Sequence, residues 1–374
     1  MDYSLGARWI HTMLGPPLEN HWVNITDGKV DSISSKPAYR QQEHLGECRQ
    51  LLPAMVNAHA HLELSQLPAM LDVPSRSMAD WVAALLAFRR SPEYRAKQGI
   101  QQALCRPELM DSTIAVADIV PPGLMEMEDA PIRWLPFTEL IAWRREMAET
   151  RNDTANGFGL SPHAPHTVCL ELLQGAIKQQ VPLAMHLAET KEELQLLREH
   201  AGPMLDMMRR MDADYSPQSV LIGNRPMDYL QLLSAAPSVF IVHGNYLDDE
   251  ELRFLASHRE TMSVVYCPRS HSYFRHTAYP LKKMLDYGIR ILLGTDSLAS
   301  VPNLNMLAEV QFALSQHPTI LPEMIYRLGT VEGAKAFGLL PAGLGVIQPG
   351  SPARFTVLGE DKPLDCWRES QNMP

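Results

Sequence analysis

Val239-Phe240-Ile241-Val242-His243 is a run of four apolar residues that stops abruptly on a histidine, and a helical stretch follows it. A run so short, bounded so sharply and rich in β-branched and aromatic residues reads as a strand buried on both faces. The same texture recurs at Ile114-Ala115-Val116-Ala117-Asp118, Ile132-Arg133-Trp134-Leu135-Pro136 and Val181-Pro182-Leu183-Ala184-Met185-His186. It returns at Met262-Ser263-Val264-Val265-Tyr266-Cys267 and at Ile289-Arg290-Ile291-Leu292-Leu293-Gly294-Thr295-Asp296. From His163 to His186 is 23 residues, from His243 to Cys267 is 24 and from Cys267 to Asp296 is 29. Each interval is about one strand-plus-helix unit. The longer gap from His186 to His243 leaves room for extra helix, including Glu192 to Met211. Counting back to Val56-Asn57-Ala58-His59 gives about eight strands. That number closes an α/β chain into a (β/α)8 TIM barrel. An open doubly wound sheet is the competing fold, but no GxGxxG follows any strand.

The two ends of the chain read differently. Trp22-Val23-Asn24-Ile25-Thr26 alternates, Asp27-Gly28 is a hairpin turn, and Lys29-Val30-Asp31-Ser32-Ile33 resumes the alternation. Near the other end come Gly345-Val346-Ile347, a Pro349-Gly350 turn and the run Arg354-Phe355-Thr356-Val357-Leu358. A small composite β-sandwich of residues 1–52 plus 343–374 is therefore expected beside a barrel of residues 53–342.

Composition narrows the class. Of 374 residues 45% are hydrophobic, too many for a disordered chain. The 33 Lys+Arg against 43 Asp+Glu leave a net charge of −10. Such a chain repels phosphate backbones, so neither nucleic acid nor an anionic membrane is an expected partner. Five cysteines (Cys48, Cys105, Cys169, Cys267, Cys366) without a CxxC pair read as reduced thiols. With no signal-like N-terminus and no long apolar run, the expected location is cytoplasmic.

The strand ends carry the chemistry. In a barrel of this kind active residues gather at the C-terminal ends of the strands. Those ends here bear His59, His61, His163, His186, His243 and Asp296. His59 and His61 share one face by strand periodicity. Adding His186 and Asp296 makes three imidazoles and one carboxylate, a set suited to one divalent ion such as Zn2+, with Fe2+ or Mn2+ as alternatives.

The segment Leu52-Pro53-Ala54-Met55-Val56-Asn57-Ala58-His59-Ala60-His61-Leu62-Glu63 resembles the opening metal motif of the amidohydrolase superfamily. Met185-His186-Leu187-Ala188-Glu189-Thr190, Val242-His243-Gly244 and Leu293-Gly294-Thr295-Asp296-Ser297 follow in that family's order. The HxxE at His186 and Glu189 resembles its aminohydrolase branch. Binuclear members carry a lysine after the fourth strand, where this chain reads Gly157 to His166 without one, so a single ion is expected. The resemblance implies that the ion, held by His59, His61, His186 and Asp296, activates a water and that Asp296 takes its proton. It implies further that Glu189 protonates the ring nitrogen and serves the departing ammonia, while His243 orients the nucleophile.

Substrate contacts are expected from His163 in the Pro162-His163-Ala164-Pro165 segment, from Ser300, from Trp81 as an aromatic lid, and from Glu63. The run His61-Leu62-Glu63-Leu64-Ser65 resembles aminodeoxyfutalosine deaminases. The first expectation is thus hydrolytic deamination of an adenine nucleoside derivative, aminodeoxyfutalosine of menaquinone biosynthesis. The partners are then the small-molecule nucleoside and water, and a homodimer is compatible with that reading. Guanine or another aminoheterocycle, or an s-triazine losing chloride, is the alternative at the same site. A non-catalytic barrel scaffold is the alternative of another kind. His271 and His276 stand where relatives are less basic, and no role is assigned to them. His11, His21, His44, His200, His258 and His317 lie away from strand ends and are expected at the surface.

Overall fold

A computed structural model describes residues 2–46, 49–73, 77–124, 127, 130–149 and 157–359. Cys48, Cys366 and residues 360–374 of the expected C-terminal portion lie outside the described residues. The chain divides into two compact units. One comprises Met1–Asn57, Arg106–Val116 and Asn305–Pro374, and the other Ala58–Cys105 and Ala117–Leu304.

The first unit holds a mixed six-stranded sheet of β1 (Tyr3–Ile10), β2 (Leu18–Thr26), β3 (Lys29–Ser34), β4 (Gln42–His44), β5 (Arg49–Pro53) and β14 (Phe355–Gly359). Its order is β14-β5-β1-β2-β3, with β4 beside β1. The Asp27-Gly28 hairpin forms as its sequence dictates: Thr26 pairs with Lys29, and both turn residues have positive φ, 49° and 70°. Leu5, Ile10, Val23, Ile25, Leu51, Phe355 and Val357 bury the apolar face. Within this unit His11 departs from expectation. It is only 6% exposed, with Nδ1 2.5 Å from Glu323 Oε2 and Nε2 2.7 Å from Gln50 Oε1. Its two polar partners are far away in sequence, which is why a local reading placed it outside.

The eight remaining strands are β6 (Met55–Ala60), β7 (Thr113–Val120), β8 (Arg133–Leu140), β9 (Gly159–Pro162), β10 (Leu183–Leu187), β11 (Val239–His243), β12 (Met262–Tyr266) and β13 (Arg290–Leu293). They follow one another in the single order β13 back to β6. The ladders are parallel, with Leu183 to Leu187 aligned to Val239 to His243 and Val239 to Val242 aligned to Met262 to Val265. Every residue of β7, β10, β11 and β12 is buried, as parallel strands covered on both faces require. The ring nearly closes: Thr295 and Asp296 donate their N–H groups to the His59 carbonyl at 3.1 and 3.0 Å. Gly294 permits that closure, because a Cβ there would stand 2.9 Å from His59 Cβ.

One strand end differs from the sequence reading. The run ending at Pro136 continues as strand to Leu140. Proline lacks an N–H and usually marks a strand limit, but here the Pro136 carbonyl still accepts from Phe158 N at 2.9 Å. β8 therefore ends at Leu140, four residues beyond the expected limit, and carries Glu139 just before that end.

Candidate active site

Four strand ends deliver the polar cluster, all within the second unit. His59 ends β6 from the inside, with His61 just beyond it; β10 carries His186, β11 ends on His243, and Asp296 follows β13. Three of the turning points are strained. Ala188, His243 and Asp296 adopt left-handed φ of 54°, 69° and 64°, which non-glycine residues hold only when their surroundings impose it.

Ligating atoms of His59, His61 and His186 all lie within 4.8 Å of one another. Asp296 Oδ1 stands 3.8 Å from His59 Nε2 and 4.0 Å from His61 Nε2. Burial depresses the pKa of His59 and His61 well below that of free imidazole, and each is lowered further by its cationic-capable neighbours. His186 is lowered as well, chiefly by burial. Neutral imidazoles present lone pairs, the form that binds metal. His186 Nδ1 donates to the His163 carbonyl at 3.0 Å, so its Nε2 carries the lone pair that could ligate an ion. Asp296 Oδ2 accepts from Ser270 Oγ at 2.6 Å and from Ser300 Oγ at 3.2 Å, leaving Oδ1 toward the histidines. Desolvation raises the Asp296 carboxyl to about 6, with the two serines and a backbone N–H opposing the rise. Three imidazole nitrogens and one carboxylate oxygen converging at these separations fit a single borderline divalent ion.

Beside this cluster, Glu189 Oε1 is 3.5 Å from His243 Nε2. Desolvation pushes the Glu189 carboxyl well above its ordinary range, and the charges of Asp296 and Glu193 push it further. The main chain at Glu189 is pinned on both sides. Glu193 accepts from Ala188 N at 2.8 Å and from Glu189 N at 2.9 Å, and Asn245 Nδ2 donates to the Glu189 carbonyl at 2.9 Å. Thr190 caps the helix Lys191–Glu199 by accepting from Glu193 N at 3.0 Å.

The cluster opens into a cavity of about 380 Å3, lined on its apolar side by Trp81, Leu85, Trp143, Met204, Met207 and Phe274. His61, His163, His186, Glu189, His243 and Asp296 all line it. The Trp81 ring packs edge-on to Phe274 at 5.4 Å within that lining. His163 lies at the end of β9 with Nδ1 2.8 Å from Thr167 Oγ1.

Two expected substrate contacts sit elsewhere. Ser300 is buried against Asp296 and is absent from the lining, where Ser297 stands instead. Ser297 Oγ is buried and makes no hydrogen bond among the described residues. Glu63 is fully buried, with Arg89 Nη2 donating to Oε1 at 2.5 Å, and it too is absent from the lining. Arg89 and Glu139 face the cavity in its place, with Nη1 3.9 Å from Glu139 Oε2. Sequence reading missed Arg89, Glu139, Glu193 and Asn245. Only Glu193 had a local signal, the Thr190-Lys191-Glu192-Glu193 capping pattern.

His271 and His276 lie side by side, ring centroids 5.2 Å apart, and Tyr246 Oη is 3.0 Å from His276 Nδ1. Neither lines the cavity. Cys267 is buried, as a small apolar residue would be. No helix among the described residues is long and apolar enough to cross a membrane.

A ring of parallel strands with three histidines, an aspartate and a glutamate at its mouth defines a metal-dependent hydrolase of the barrel type. The chain belongs to the amidohydrolase family, whose model matches residues 50–372, and it is a hydrolase acting on carbon–nitrogen bonds. It is 29% identical over 345 residues to a 5-methylthioadenosine/S-adenosylhomocysteine deaminase of Pyrococcus furiosus, covering 84% of this chain and 75% of that protein. An aminodeoxyfutalosine deaminase of Deinococcus radiodurans is 30% identical over 348 residues, covering 83% and 78%. The crystal structure of Helicobacter pylori aminofutalosine deaminase in complex with methylthio-coformycin superposes with a TM-score of 0.77 at 21% identity, over 98% of this chain and 94% of that one.

Proposed function

We propose that the chain deaminates an adenine nucleoside derivative by hydrolysis, exchanging the ring amino group and water for a ring carbonyl and ammonia. The observation that carries this reading is Glu189: an acid whose carboxyl burial pushes well above its ordinary range, 3.5 Å from His243 and lining, together with the histidine cluster, one aromatic-walled cavity of about 380 Å3. Relatives named for 5-methylthioadenosine, S-adenosylhomocysteine and aminodeoxyfutalosine support the substrate class. Aminodeoxyfutalosine is the substrate we favour, which assigns the reaction to menaquinone biosynthesis.

When bound by His59, His61, His186 and Asp296, a divalent ion, Zn2+ before Fe2+ or Mn2+, supplies a water acidic enough to attack at neutral pH. The side chains do the rest. Trp81 and His163 hold the base against the cavity wall. Glu189, in its acid form, gives its proton to the ring nitrogen next to the attacked carbon. Asp296, steadied by Ser270 and Ser300, accepts the proton released by the nucleophile. His243 stabilises charge developing on the tetrahedral carbon's oxygen. Glu189, now a carboxylate, takes the proton of the added hydroxyl as the ring carbonyl forms and carries it to the amino group, which departs as ammonia; the proton held by Asp296 returns to Glu189.

The test is ammonia release by metal-replete protein from aminodeoxyfutalosine, methylthioadenosine, adenosylhomocysteine, adenosine and guanine, with bound metal counted. Turnover of at least one adenine nucleoside with one ion per chain is expected. Chelation should abolish it and re-addition of the ion restore it. Ammonia from guanine alone, or none from any nucleoside, overturns the reading.

A further inference from the structure

We propose that Asp118 is the positioning residue for His61: it holds the main chain just beyond that histidine and so sets how the imidazole meets the ligand cluster. This rests on the reading of His61 as a metal ligand above. His186 is aimed through its own ring, Nδ1 to the His163 carbonyl. His61 lacks such support. Its Nε2 faces Asp296 Oδ1 at 4.0 Å, while its Nδ1 is buried and makes no hydrogen bond among the described residues. A ligating imidazole usually donates from that second nitrogen to a carboxylate or a carbonyl, which fixes the ring. Here the orientation has to come from the backbone.

The backbone is held where it turns. His61 follows β6 with φ −121° and ψ 78° and opens the short 3-10 turn Leu62–Leu64. Leu64 N bonds to His61 O and Ser65 N to Leu62 O. Leu62 N, as the first amide of the turn, has no carbonyl of its own turn to meet. It donates instead to Asp118 Oδ1 at 2.9 Å. Asp118 lies on β7, the neighbour of β6 in the barrel, and is fully buried. Its other oxygen accepts from Trp134 Nε1 of β8 at 2.8 Å. Both partners are N–H donors, so both oxygens must accept, and an amide nitrogen in place of either would set donor against donor. The next residue of the turn is braced as well. Arg89 Nη2 donates to Glu63 Oε1 at 2.5 Å, and Gly99 packs so near that a Cβ there would stand 2.4 Å from the Glu63 carbonyl oxygen. With the turn braced on that side, Asp118 decides where its first amide, and with it the His61 main chain, comes to rest.

The experiment reads Zn2+ affinity by competition with a chelator, and the visible spectrum of the Co2+-loaded protein. It compares the wild type, Asp118→Asn, Trp134→Phe, the double variant and His61→Ala. Asp118→Asn is isosteric but keeps one acceptor for two donors, so Zn2+ should bind about 10- to 100-fold more weakly and the Co2+ bands should shift. Trp134→Phe leaves the Leu62 bond in place and should bind as the wild type does. In the double variant the amide oxygen turns to Leu62 N with no indole N–H opposite its NH2, and affinity and bands should both return toward wild type. That recovery carries the test should Asp118→Asn alone fail to fold. A role confined to packing predicts the reverse: the two changes add, thermal midpoints fall and the Co2+ bands stay where they were. That result overturns the proposal and leaves the metal-site reading standing. His61→Ala separates the two: a variant that holds Zn2+ as tightly as wild type removes His61 from the ligands, and the proposal with it.

Discussion

Glu189 owes its raised pKa to its position and not to its own chemistry. Burial, with Asp296 and Glu193 as like charges, pushes the carboxyl well above the range of a free glutamate. Glu189→Gln keeps size and hydrogen bonding but cannot shuttle protons. We expect kcat to fall by about a hundredfold to ten-thousandfold with bound metal and thermal midpoint unchanged; a variant retaining near-wild-type turnover would remove Glu189 from the reaction. Glu193 acts one step back. Its folded-state pKa is raised from 4.5 to about 7, mainly by desolvation, against the pull of three backbone N–H groups. The folded protein therefore keeps this proton between pH 4.5 and about 7 while the unfolded chain has released it. Its contribution to stability is whole below pH 4.5 and is lost as pH rises through about 7. The stability difference between wild type and Glu193→Gln at fixed metal should accordingly fall across that window, and kcat of the variant should drop about tenfold or more with KM little changed. A pH-independent difference would contradict the assignment. These residues show what a sequence can and cannot disclose. His59, His61, His186 and Asp296 were legible because each ends an apolar run. Arg89 was not, since one arginine on a helix reads like any solvated charge until the fold turns it to Glu63.

At the scale of elements, the strands were legible from continuous apolar runs, but their ends were less so. Reading β8 as ending at Pro136 hid Glu139, because proline's missing donor suggests a limit that the neighbouring strand does not enforce. That β6 and β13 meet followed from the count of eight strands, but which residues close the seam did not, because they lie more than two hundred positions apart. Gly294 is its weak point. Gly294→Ala places a Cβ 2.9 Å from His59 Cβ and 3.0 Å from the His59 backbone N and O. We expect a loss of about 1–3 kcal/mol and weaker metal retention, read by chemical denaturation and by metal content after gel filtration. Full retention of both would show that the strands can part without disturbing the ligands.

For the whole molecule, the net charge of −10 is the property that acts at a distance. It is an average over the surface, and the composition that supplied it was legible from the first. The field repels anions at low ionic strength, when the screening length is about 30 Å, and is largely cancelled near 0.15 M, when it is about 8 Å. For a nucleoside bearing a carboxylate, kcat/KM should rise by about twofold or more between those conditions, whereas an uncharged nucleoside should show no trend. A fall with salt for the anionic substrate would mean that Arg89 and its surroundings govern its approach.

His163 holds two unrelated posts. Its carbonyl orients His186, while its side chain faces the cavity. The first post belongs to the peptide backbone and survives any amino acid placed there; the second does not. Position 163 can therefore drift in evolution, or be randomised in a library, and change which molecule is read while the ion stays in place. Divergence of substrate preference in such barrels has a natural starting point there.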